Sequence, residues 1–210
     1  PLMKLNVSFV KDTTHFLKQI SKFKCEAGAI LVSADVSNLY TVINHEEGAQ
    51  ACKEALNKRK LQEKRKMPTN LLHKLILLIL RSNCFAFGSK IFHQLTGTAM
   101  GTPMAPSYAN IFMGKVETEM LAKFKKKTGL GPSLWLRFLD DVFFIWPHGP
   151  DKLTEFTNFM QNYSKDTGMK TNLKFTFEVE QTVPFLDTQV SIGESSKLET
   201  KLYSKDTDAH

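Results

Sequence analysis

Two apolar, β-type runs in this chain carry aspartate where a strand packed into a core cannot hold an unpaired charge. The run Ala29–Val36, AILVSADV, is small, apolar and β-branched behind Gly28, which suits a strand buried on both faces, yet it contains Asp35. The aromatic run LWLRFLDDVFFIW (134–146) reads as two strands hinged about Asp140 and Asp141, a β-hairpin with charge at its tip. Asp187, in VPFLDTQVSI, is a weaker instance of the same conflict. An isolated buried carboxylate costs several kcal/mol, so each must be solvated, paired or bound to a cation. Taken alone, Asp140 and Asp141 read as turn residues, because Asp favours tight hairpins. Asp35 at the end of a separate strand shifts the balance, since parallel neighbouring strands would bring all three carboxylates to one edge of one sheet.

A cluster of hard oxygen ligands suits magnesium, which keeps several waters and shares its sphere with substrate phosphates. Two such ions activate a hydroxyl and stabilise a leaving phosphate during in-line displacement. Without a metal, three clustered carboxylates would repel and take up protons. That favours a nucleotidyltransferase or nuclease over a hydrolase that works by carboxylic acid and base; a glycosidase pair leaves the remaining motifs without a role.

The other segments read as alternating helices and strands. Phe9 to Phe23 has apolar residues at helical spacing behind Asp12 and Thr13 as caps, Gly48 to Lys66 reads as a basic helix stopped by Pro68, and Asn70 to Arg81 as the next. Within it, Leu71 to Leu80 is about half the roughly 20 residues that span a bilayer, and reads as a buried helix. A turn at Gly88 and a Gly/Pro-rich loop, GTAMGTPMAP, open a long helix through SYANIFMGKVETEMLAKFKKK. A helix from Asp151 to Tyr163, the alternating strand LKFTFEVE, and a hairpin of VPFLDTQVSI and KLETKLYS complete the order.

At 210 residues one principal domain is expected, and the net charge of +7 favours an anionic partner such as nucleic acid. Cys25, Cys52 and Cys84 form no C-x-x-C pair and suit reduced thiols, so no disulfide partner, no membrane and an intracellular, nuclear or cytoplasmic, location are expected. The chain opens on Pro1 and is read as a piece of a longer protein.

Three strings give this chemistry a family. SADVSNLYT, GTAMGTPMAPSYANIFM and RFLDDVFFIW resemble motifs A, B and C of reverse transcriptases, in wording closest to those of Penelope-like retroelements. The N-terminal FVKDTTHFL and the late LKFTFE, PFLD and KLYSKDTD extend the resemblance over nearly the whole chain. It implies an α+β fold: the right-hand polymerase palm, an antiparallel sheet backed by helices, with part of the fingers inserted. Residues 1–29 would be a lead-in helix and fingers remnant and 30–210 the palm, with a fingers-side helical insertion at about 48–100, a primer-grip hairpin at 183–210, and no thumb.

The resemblance implies that Asp35, Asp140 and Asp141, with the Val36 carbonyl, hold two Mg2+ ions, for which Mn2+ substitutes. Tyr40 matches the steric gate beneath the sugar, and Asn38 and Leu39 the backbone amides that meet the triphosphate. Gly97, Gly101, Thr102 and Pro103 match the loop that touches template and incoming nucleotide. Lys174, or else Lys170, matches the lysine that protonates pyrophosphate, and Phe185, Leu186 and Asp187 match the primer grip. Each has a plainer reading: Tyr40, Phe185 and Leu186 as core, the loop as connector, Lys174 as a solvated lysine, Arg137 as a local ion-pair partner. The implied activity is RNA-directed DNA polymerisation, with dNTPs, an RNA or DNA template and a DNA primer as partners. The alternatives are an inactive, retroelement-derived fragment that only binds nucleic acid, and an RNA-templated RNA polymerase on the same palm.

Overall fold

The computed structural model describes residues 8–58 and 67–203. In chain order the elements are α1 (Thr13–Ile20), β1 (Ile30–Val36), α2 (Leu39–Val42), α3 (His45–Asn57), α4 (Thr69–Arg81), β2 (Cys84–Phe87) and β3 (Lys90–His93). There follow α5 (Ala105–Thr128), β4 (Leu134–Phe138), β5 (Asp141–Trp146), α6 (Pro150–Thr167), β6 (Phe175–Val179), β7 (Thr182–Phe185), β8 (Thr188–Ile192) and β9 (Leu198–Leu202). Of the described residues, 8–37, 120–162 and 174–203 form one compact unit and 38–58, 67–119 and 163–173 another.

The first unit is built on a sheet of order β4-β5-β1-β6 whose pairs are all antiparallel. Alternation along β1 explains why its sequence is apolar almost throughout. Leu31, with Phe143 and Ile145 opposite or beside it, faces a core completed by Phe16 and Ile20 of α1 and by Val183, Phe185 and Val190 of the β7-β8-β9 meander. The intervening positions Val32, Ala34 and Val36 belong to the other face. There Phe144 stacks on Trp135 and Trp146 on Phe156, with Phe124 edge-on to both Trp146 and Phe156. A sheet covered on both faces tolerates no unpaired charge in its middle. Asp35 is therefore confined to a strand end.

The expectation of parallel neighbours is corrected: β1 and β5 run antiparallel. The reversal is what lets the end of one strand meet the start of the other. α1 begins where its cap was expected, the Asp12 carboxylate accepting from the His15 N–H at 2.8 Å.

In the second unit, α3 starts at His45 with Asn44 as its cap, three residues before the expected Gly48, and α4 packs against α3. α4 is not the buried helix that Leu71 to Leu80 suggested: Leu80 is buried, but Leu71, Leu75, Ile79 and Leu78, the last 61% exposed, face outward. An apolar run longer than one helical turn necessarily turns some of its side chains away from a single packing partner. β2 and β3 form a separate, exposed hairpin about Gly88 where only a turn was expected. Of the basic residues near the end of the helix expected from Gly48 to Lys66, Lys58 caps the C-terminus of α3, while Arg59, Lys60, Lys64, Arg65 and Lys66 lie outside the described residues. No helix among the described residues is long and apolar enough to cross a membrane.

Candidate active site

The two aspartate-bearing runs of the sequence meet at one sheet end. Asp35 is the ladder partner of Asp141, and the Val36 N–H donates to the Asp140 carbonyl at 3.1 Å. Directly opposed residues of an antiparallel pair project to the same face with Cβ atoms about 4.5–5.5 Å apart. Thr176 of β6 lies opposite Asp35 on its other side. Leu139 and Asp140 alone connect β4 to β5, and Leu139 takes φ +54°, a left-handed conformation that a branched side chain rarely accepts.

Burial pushes the Asp35 carboxyl above its ordinary value, and the negative charge of Asp140 pushes it the same way. The folded protein thus holds a proton at Asp35 more tightly than the unfolded chain does. The associated stability is fully present below the unfolded-state pKa and is lost as pH rises through the folded one. In metal-free buffer near neutral pH, Asp35→Asn is accordingly expected to melt slightly higher than the wild type, by no more than a few degrees. The difference should vanish below the ordinary carboxylate range. Thermal unfolding followed by circular dichroism across that range checks it; a lower melting temperature for the Asn variant at neutral pH contradicts the sign.

A site that penalises its own negative charge in this way suits a cation. Among the described residues no three His, Cys, Asp or Glu side chains are grouped tightly enough to hold an ion by themselves. The opposed pair Asp35 and Asp141, with Asp140 beside them, would leave much of a metal's sphere to water and phosphate. Magnesium prefers such a partial shell.

A cavity of about 210 Å3 opens beside the pair, lined among others by Ser33, Glu178, Phe185, Leu186 and Tyr203. Sequence reasoning had not singled out Ser33, Thr176, Glu178 or Tyr203. Period-two alternation was the available signal for three of them: Ser33 shares the Asp35 side of β1, and Thr176 and Glu178 pair with Asp35 and Ser33 from β6.

The other predicted residues of this unit have distinct surroundings. Ser37 N–H donates to the Lys174 carbonyl at 2.9 Å, which anchors the exposed Lys174 beside the end of β1. Phe185 is only 3% exposed and packs on Phe16 and Phe143, with ring centroids 4.6 and 5.7 Å away, so its side chain is core. Leu186, at the tip of the β7-β8 hairpin, also takes φ +54°. Asp187 accepts a 2.7 Å bond from Thr13 Oγ1, and its carbonyl accepts from Tyr203 N–H at 2.9 Å.

The second unit gathers the remaining candidates. Asn38, at φ +54°, precedes the short α2 that carries Leu39, which is buried, and Tyr40, which is half-buried. The segment 96–98 is stitched onto this turn: Gly97 N–H donates to Ile43 carbonyl and Thr98 N–H to Tyr40 carbonyl, both at 2.7 Å. Thr96 Oγ1 donates to the Thr41 carbonyl at 3.0 Å, and the His45 ring lies 2.8 Å from the Gly97 carbonyl. Gly97 has φ +75°, and a Cβ there would collide with the Tyr40 carbonyl and the Thr41 backbone. Gly101, at φ +90°, faces open space, and Thr102 begins the turn, through a 2.9 Å bond from Ala105 N–H, that carries Pro103 toward α5. Lys170 belongs here too: its N–H, with the N–H and hydroxyl of Thr171, donates to the Glu47 carboxylate at 2.7, 2.9 and 2.6 Å.

Solved structures resemble this fold. Apo telomerase from Candida tropicalis, truncated of its C-terminal domain, superposes with a TM-score of 0.69 at 13% identity, over 96% of this chain and 43% of that one. Telomerase from Candida albicans, in complex with a fragment of telomeric RNA, gives 0.66 at 12% identity over 96% of this chain and 37% of that one. The RNA-dependent RNA polymerase of a human picobirnavirus gives 0.56 at 15% identity over 83% and 31%. At such identities the likeness is one of fold, an α+β polymerase palm, and the chain spans less than half the length of each of these proteins. No curated protein sequence matches the chain. A family model described as reverse transcriptase (RNA-dependent DNA polymerase) matches residues 5–190, nearly the whole of the chain, so the protein belongs to the reverse transcriptase family.

Proposed function

We propose that this chain is the palm of an RNA-directed DNA polymerase from a Penelope-like retroelement, extending a primer 3′-hydroxyl with deoxynucleotides. One observation carries the reading: Asp35 and Asp141 are cross-strand partners at a sheet end, with Asp140 in the adjoining turn. Divalent ions are general in the family, and two Mg2+ here would activate the hydroxyl and stabilise the departing pyrophosphate. Asp35, Asp140 and Asp141, with the Val36 carbonyl, are the residues that would hold them.

The protein's own groups have separable tasks in this reading. The carboxylates fix where the phosphate is attacked, and Lys174, tethered beside β1, supplies the proton for the leaving group. Asn38 and Leu39 receive the triphosphate, Gly97, Gly101, Thr102 and Pro103 meet template and incoming nucleotide, and Leu186 and Asp187, above the buried Phe185, face the primer. A net charge of +7 favours nucleic acid as partner, and three cysteines without a C-x-x-C pair suit a nuclear or cytoplasmic location. The Penelope-like assignment rests on the wording of the motifs, and the reading of residues 1–29 and about 48–100 as fingers-side and of 183–210 as primer grip rests on their order.

Primer extension on RNA and DNA templates with dNTPs and Mg2+ tests the function; absence of incorporation by folded protein with either Mg2+ or Mn2+ leaves the reading of an inactive, nucleic-acid-binding fragment. Tyr40 is the proposed gate against a 2′-hydroxyl. Tyr40→Ala is expected to raise ribonucleotide incorporation relative to deoxynucleotide by about tenfold or more, which corresponds to roughly 1.4 kcal/mol of discrimination. An unchanged ratio in competition assays takes that role from Tyr40.

A further inference from the structure

The tripeptide Phe-Leu-Asp occurs at two hairpin tips, 138–140 and 185–187, and both leucines take φ +54°. One strained turn recurs, but the two are held differently. In the β7-β8 turn, Asp187 is engaged by Thr13 Oγ1 at 2.7 Å, and Thr188 Oγ1 donates to the Phe185 carbonyl at 2.8 Å. In the β4-β5 turn the hold comes from Arg137, whose Nη1 donates to the Leu139 carbonyl at 2.7 Å. Arg137 is fully buried, at 0% exposure. Its backbone is clamped as well: Arg137 N–H donates to the Ser8 carbonyl at 2.7 Å and Val10 N–H to the Arg137 carbonyl at 2.8 Å.

A charge-assisted bond to a carbonyl is stronger than a neutral one, and an arginine fixed at both backbone and guanidinium is a rigid support. The carbonyl it holds belongs to the residue before Asp140, so the support bears on the peptide from which Asp140 and Asp141 project. We propose that Arg137 is a positioning residue for the metal-binding turn, fixing Asp140 and Asp141 relative to Asp35. The inference rests on the polymerase reading. It goes beyond that reading in giving a residue that is not itself a ligand a part in metal affinity.

The test is Mn2+ binding without nucleic acid, by electron paramagnetic resonance or calorimetry, on wild type, Asp141→Asn, Arg137→Met, Arg137→Lys and Thr13→Ala, each checked for native near-ultraviolet circular dichroism. Arg137→Met is expected to bind at least tenfold more weakly than wild type. Arg137→Lys, which keeps the charge and one donor in the wrong geometry, should lie between, at least threefold weaker than wild type. Thr13→Ala, which loosens the other turn, should bind within twofold of wild type. In primer extension, Arg137→Met should lose at least tenfold in kcat while KM for dNTP stays within twofold. Wild-type Mn2+ affinity in Arg137→Met overturns the proposal, as does an equal loss in Thr13→Ala. Should Arg137→Met not fold, Arg137→Lys decides, and wild-type affinity there overturns it. Failure of wild type to bind Mn2+, or equal binding by Asp141→Asn, instead sinks the polymerase reading itself, and this inference with it.

Discussion

Asp35→Asn and Asp141→Asn are each expected to reduce metal-dependent primer extension by about a thousandfold or more, roughly 4 kcal/mol of transition-state stabilisation. The two carboxylates are ladder partners on one face, so removing either charge leaves the other a poor ligand on its own. The Asp35→Asn fold should survive, because Asp35 sits at the exposed end of its strand, where partial loss of hydration and the charge of Asp140 already penalise its carboxylate. For Asp35→Asn, loss of turnover with retained or slightly raised thermal stability is therefore the expected signature, with single-turnover extension and melting measured on one preparation. Activity of either variant within tenfold of wild type would remove this pair from the chemistry.

The largest structural effect is expected at Gly97→Ala. The methyl group meets two penalties at once: a left-handed backbone, which costs an L-residue roughly 1–2 kcal/mol, and overlap with backbone atoms of Tyr40 and Thr41 that cannot rotate away. Together they amount to about 2–4 kcal/mol, or a fall in Tm of about 5–12 °C for a chain of this size. The damage should be directional. The bonds from Gly97 to Ile43 and from Thr98 to Tyr40 hold the turn that carries Tyr40, so residual folded protein should discriminate sugars less well. Gly101→Ala supplies the contrast, since it has the positive φ but open space around it, and should cost about half as much. Equal melting temperatures for wild type and Gly97→Ala would show that this joint is not rigid.

How much of this was legible in the sequence differs between strands and their arrangement. β1, β4, β5 and α5 follow from composition and spacing, because apolar runs of the right length have few alternatives. Direction and partner do not follow from a run of apolar residues: AILVSADV carries no sign of antiparallel pairing, nor that Asp141 rather than Asp140 is the residue opposite Asp35. The exposure of α4 escaped for a related reason, since a helix rich in leucine has the same sequence whichever side is covered. β2 and β3 were missed because both faces are exposed and no buried alternation marks them. Arg137 read as a local ion-pair partner, and only its neighbours in space make it a buried support for the turn.

The close packing on both sides of β1 also acts as a ruler. If β1 slid by a single residue against β5, Asp35 would turn toward the layer of Trp146 and Phe156 while Val36 took its place. No intermediate setting exists, because side chains switch sides at every step. Insertions and deletions within β1 or β5 should consequently act as on–off lesions, whereas those in loops other than the Leu139–Asp140 turn leave the spacing of the carboxylates untouched.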